Sequence, residues 1–105
     1  MSKTRIGKAR LDAMVEEAIV DANGESERAT GLFTMIENNL KLPFETAILG
    51  IPVIVEKVDL NRRDEIVVVC RRGKHRQTVP IADLPLPSPP PQGAEWIEAY
   101  RHYLR

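Results

Sequence analysis

Cysteine is almost absent. Cys70 stands alone among 105 residues, so the chain can close no disulfide on itself and a reducing cytoplasm is its expected location. Long apolar runs are missing as well. The stretch "IVVVC" (66–70) falls far short of the ~20 residues a membrane helix needs, and the N-terminus lacks the apolar core of a secretory signal. No membrane partner is expected. An excess of one charge is also lacking: 15 Lys+Arg balance 15 Asp+Glu, so total charge favours neither nucleic acid nor an anionic surface. No glycine-rich phosphate loop, no Ser-His-Asp arrangement and no paired carboxylates on a recognised scaffold are present, so no enzyme is expected.

What is present is uneven. The first eleven residues hold Lys3, Arg5, Lys8 and Arg10 with no acid. Residues 12–45 are strongly acidic, with only Arg28 and Lys41 opposing. Residues 62–76 turn basic through Arg62, Arg63, Arg71, Arg72, Lys74 and Arg76. An acidic half and a basic loop can form complementary patches, or face each other within one fold.

The length fits a single α+β domain spanning 1–105, with a frayed start at 1–5. Apolar residues Leu11, Met14, Val15, Ala18, Ile19 and Ala22 recur at helical spacing, predicting a helix from Ile6 to Ala22 that Asn23-Gly24 stops. A second helix is predicted from about Ser26 to Leu40, with Ala29, Leu32, Phe33, Ile36 and Leu40 inward. Glu25 and Glu27 suit its positive end. Gly31 within it costs ~1 kcal/mol of propensity, and Pro43 ends it.

After Pro43 the period changes. "FETAIL", "IPVIVEKV", "EIVVVCRR" and "RQTVPI" are short, β-branched and separated by turn signals. They imply a small antiparallel β-sheet or an SH3-like partly open barrel on which the two helices pack. Ile66, Val68 and Cys70 share one face of the third strand and Val67 and Val69 the other, which implies cover on both sides. Prolines 80, 85, 87, 89, 90 and 91 follow. They favour a stiff extended strap anchored by Leu84 and Leu86, with a ligand for a partner's SH3 or WW domain as the lesser alternative. A C-terminal helix, "GAEWIEAYRHYLR", places Trp96, Ile97, Tyr100 and Leu104 on one face.

Several stretches resemble a known family. "NLKLPF" (39–44), "CRRGKHRQ" (70–77), "DLPLP" (83–87) and "GAEWIEAY" (93–100) look like the small bacterial family grouped with the cyanobacterial calcium-binding protein CcbP. The resemblance runs from Leu11 onward. It implies calcium binding by acidic side chains.

Two oxygen-rich clusters are candidates for that chemistry, because calcium takes six to eight oxygens, several of them anionic. The first is Glu37, Asn38 and Asn39 at the end of the second helix, where carbonyls are exposed and the dipole is negative. The same residues suit an ordinary helix cap. The second is Asp59, Asn61, Asp64 and Glu65 in "VDLNRRDE". It is no EF-hand, since Asp64 occupies the glycine position and Cys70 the bidentate glutamate position. Its residues equally suit a solvated β-turn, and Arg62 and Arg63 oppose a cation there. Few anionic ligands imply weak binding, ~10⁻⁵ to 10⁻³ M.

Zinc fits poorly, as Cys70, His75 and His102 are the only soft ligands and a structural site takes four. An alternative role is an interaction module gripping a peptide or nucleic acid through Arg71, Arg72, Lys74, His75 and Arg76. Nucleic acid is disfavoured because that hairpin carries no aromatic for base stacking. The same cations could instead pair with the acidic helices of their own fold.

Overall fold

The computed structural model describes residues 6–105; the basic start at 1–5 lies outside the described residues. Two helices come first, α1 (Lys8–Ala18) and α2 (Glu25–Asn39). Four strands follow, β1 (Phe44–Ile48), β2 (Ile51–Leu60), β3 (Ile66–Arg72) and β4 (His75–Pro80). A short 3₁₀ turn at Ile81–Asp83 leads through the proline segment to α3 (Glu95–Leu104). The strands form an antiparallel meander in the order β1-β2-β3-β4, so β1 and β4 are its edges.

α1 ends four residues before the apolar stripe does. Ile19 bonds back to the carbonyl of Val15, but Ala22 reaches only Ile19, closing a turn. The reason lies in α2. Gly31 approaches so closely that a Cβ there would overlap the carbonyl of Ala18, the very carbonyl a longer helix would offer to Ala22. The glycine that weakens α2 locally therefore permits the α1–α2 contact.

The core lies between the helices and one face of the sheet. Val55, Val58, Ile66, Val68 and Cys70 meet Leu32 and Ile36 of α2 and Trp96, Ile97 and Tyr100 of α3, with Leu11 and Met14 of α1 closing one side. Burying one such side chain contributes ~1.5–3 kcal/mol. The other face of the sheet differs from the expectation of cover on both sides. Val67 is buried and Val69 partly so, yet their ladder neighbours Asp59, Lys57 and Thr78 are exposed. Alternation puts these residues on one face, which solvent reaches. Leu104, expected inward on α3, is 53% exposed.

The turns follow local chemistry with one exception. Gly73 (φ 59°) opens the β3–β4 hairpin, where a positive φ suits glycine. The β1–β2 hairpin turns through Leu49-Gly50 with φ 52° and 78°. Leu49 is a bulky residue in a left-handed conformation, and it is 95% exposed.

The proline segment is the expected strap. Leu84 is buried and Leu86 packs on the core. Thr46 Oγ1 of β1 donates to the carbonyl of Pro85 at 2.6 Å. Arg101 Nη2 of α3 donates to the carbonyl of Leu84 at 2.5 Å. Beyond the prolines, the N–H of Lys41 donates to the carbonyl of Gln92 at 2.9 Å. Gly93 (φ 88°) then backs onto the last turn of α2, where a Cβ would overlap the Asn39 carbonyl and sit 2.7 Å from the Leu40 Cα.

Candidate functional site

β2 runs two residues further than its apolar pattern, so Asp59 joins the ladder opposite Val67. Its Oδ1 accepts the N–H of Leu60 at 2.9 Å. Asn61 organises the turn beyond. Its Oδ1 accepts the N–H of Arg63 at 2.9 Å and of Glu65 at 3.0 Å, an Asx-type closure that mimics a backbone turn. Its Nδ2 donates to Glu65 Oε1 at 3.2 Å. Asp64 holds φ 63°, a conformation that aspartate tolerates better than most residues. From there its Oδ1 accepts Ser26 Oγ, in the first turn of α2, at 3.2 Å. The turn chemistry expected of these residues is therefore built, and it engages one oxygen each of Asp59, Asp64 and Glu65. Its pairing opposite Val67 places Asp59 on the outer face of the sheet, whereas Asp64 reaches toward α2 and Glu65 borders the same depression as Tyr100.

Glu37, Asn38 and Asn39 form the exposed last turn of α2. Asn39 Nδ2 folds back to donate to the Met35 carbonyl at 2.8 Å. The N–H of Leu40 satisfies the Ile36 carbonyl at 2.8 Å. This is the helix-cap arrangement. Because Asp64 contacts Ser26 at the start of α2, the two oxygen clusters lie near opposite ends of that helix. At 1.5 Å rise per residue they are roughly 16–20 Å apart along its axis, so they cannot share one ion. Among the described residues no three His, Cys, Asp or Glu side chains converge as a metal group.

The basic hairpin pairs within its own sheet, with a residue that the sequence pattern did not single out. Glu56 is the extra residue of a β-bulge between Val55, opposite Cys70, and Lys57, opposite Val69. Its carboxylate accepts Arg71 Nε at 2.5 Å and Arg76 Nε at 2.9 Å. The two guanidinium groups hold the Glu56 carboxyl below its ordinary range, Arg71 contributing most. The acidic helices are thus not the partners of this hairpin among the described residues. Arg72, Lys74 and His75 remain exposed at the tip. Cys70 is buried in the core, and burial pushes its thiol up, while His75 is exposed; no nucleophile–base pair exists there.

A third polar contact joins α1 to α3. His102 Nε2 lies 2.6 Å from Asp12 Oδ1, and Lys8 Nζ lies 2.9 Å from Asp12 Oδ2. The His102 hydrogen bond, then that of Lys8, holds the Asp12 carboxyl below its ordinary range. The spacing of Lys8 and Asp12 signals half of this contact; the pairing with His102, 90 residues away, has no local signature. A shallow depression nearby is bounded by Arg63, Glu65, Pro80, Tyr100 and Leu104. Within its lining, Tyr100 Oη accepts the N–H of Ile66 at 3.3 Å.

No family model and no curated protein matches the chain. Among solved structures, the crystal structure of Anabaena CcbP is similar over 99% of this chain and 95% of that one, with a TM-score of 0.71 at 20% identity. The chain has the fold of Anabaena CcbP. The similarity to CcbP spans the helix pair, the meander, the strap and α3. No described helix is long and apolar enough to cross a membrane.

Proposed function

We propose that this chain is a non-enzymatic, cytosolic protein that binds calcium weakly and buffers or senses it. Its support is the correspondence with CcbP over 99% of the chain, alongside the family resemblance of the sequence. The donor chemistry is compatible with low affinity only. Asp59, Asp64 and Glu65 each retain one oxygen free of the protein hydrogen bonds described above. Because no three of these side chains converge among the described residues, at most two such oxygens would join backbone carbonyls and water around a hard cation. Arg62 and Arg63 lie exposed in the same turn and reduce its field. Glu37, Asn38 and Asn39 would form a separate and weaker position, since one carboxylate stands there with two amides. An affinity of ~10⁻⁵ to 10⁻³ M follows from so few anionic ligands.

A calcium titration followed by amide chemical shifts tests the reading. Residues 58–65 should move, with a midpoint in that range, and D64N together with E65Q should abolish the movement. Shifts confined to the turn fit a buffer. Shifts that spread through Ile66 and Tyr100 into α3 fit a sensor. Unmoved amides at ~10 mM calcium, well above the weakest affinity of extracellular calcium modules, together with unchanged thermal unfolding, would end the proposal.

A further inference from the structure

Among the described residues the sheet has one edge beside the strap and one without such a neighbour. β1 is tied to the proline segment through Thr46. Among the described residues β4 pairs only with β3, and residues 75–78 are exposed. In a two-residue hairpin the residues flanking the turn form a hydrogen-bonded pair, and pairs alternate from there. Arg72 and His75 flank Gly73-Lys74, so Cys70 pairs with Gln77 and Val68 with Val79 in the same bonded manner. Arg76 and Thr78 therefore turn their N–H and C=O groups away from β3. Among the described residues no other backbone group takes them up.

Charge decides what can pair there. Glu56 fixes Arg71 and Arg76 side by side on the outer face. Arg72, Lys74 and His75 crowd the same end without an acidic partner among the described residues. A second copy presenting its own β4 would set cation against cation, so this edge resists self-pairing. An acidic strand meets the opposite field. Backbone hydrogen bonds would supply affinity and the fixed guanidinium groups selectivity. Nucleic acid fits less well, because the hairpin offers no aromatic platform. We infer that β4 is a docking edge for an extended acidic segment of another protein, added as a fifth strand with its carboxylates toward Arg76 and the 72–75 tip. This function is separate from the calcium reading and uses none of its residues.

Fluorescence anisotropy with a short fluorescein-labelled peptide alternating glutamate with valine tests it, the lysine–valine peptide serving as control. The glutamate peptide should bind below ~1 mM, and the control should not. On binding, amide exchange should slow at Arg76 and Thr78, leaving residues 58–65 unchanged. Thr78→Pro removes an outward donor without breaking a ladder bond and should weaken binding roughly ten-fold or more. Should that variant misfold, R72E with K74E changes only exposed tip charges and should weaken binding similarly. Equal binding of both peptides would overturn the inference. So would tighter binding of oligothymidylate, or binding that leaves the Arg76 and Thr78 amides unprotected.

Discussion

The two ends of α2 both carry oxygen-rich side chains, yet one is held by backbone and the other by side chains. At the C-terminal end, Gly93 presses on the Asn39 carbonyl and Gln92 accepts Lys41. The side chains of Glu37, Asn38 and Asn39 are exposed outside that joint, and that of Asn39 bonds within its own helix, to the Met35 carbonyl. At the N-terminal end the joint itself is polar: Ser26 meets Asp64, and Asn61 holds the turn that presents it. The difference teaches that similar composition can be structurally idle in one place and necessary in another. An acidic or amide residue is informative when its oxygens have backbone donors to bind.

Substitutions can break or sharpen that contrast. The largest effect is expected from Gly93→Ala. A left-handed φ and a steric overlap with backbone coincide there, so a loss of more than ~3 kcal/mol is expected in denaturant unfolding. A loss below ~1 kcal/mol would show that the strap junction yields easily. Asn61→Ala should cost ~1–2 kcal/mol, since two N–H groups lose their acceptor, and should broaden the amide signals of 62–65. Asp12→Asn calibrates a contact at neither end. The folded Asp12 carboxyl is held below its ordinary range, so its contribution is present above the unfolded pKa and lost as pH falls through the folded one. The wild type should therefore unfold at a higher temperature than D12N near neutrality, and the gap should close in acid below the ordinary carboxylate range. Glu37→Gln should change stability by less than ~0.5 kcal/mol. A larger loss would mean that the C-terminal joint is polar after all.

Much of the fold was legible because it rests on local periodicity. The 3.6-residue stripe of α2, the β-branched runs and the density of prolines each specify an element without tertiary knowledge. The misplaced boundaries have tertiary causes. α1 stops at Ala18 because Gly31 occupies the space beside its last carbonyl. β2 continues through Asp59 because β3 supplies a ladder partner. The candidate site was legible only as composition. That Asn61 closes its turn follows from residue type and spacing. That Asp64 meets Ser26, 38 residues earlier, does not, and neither does the grip of Glu56 on two arginines, which needs the bulge register to bring them together.

The asymmetry of the sheet has a consequence for assembly. A sheet polymerises only if each added chain offers a fresh edge, as fibrils do. Here β1 lies beside a segment rich in prolines, which lack backbone donors, and Thr46 is bonded to it. A strand recruited at β4 would extend the sheet by one and leave the far side as it was. The geometry favours a terminated complex of fixed stoichiometry over open-ended growth.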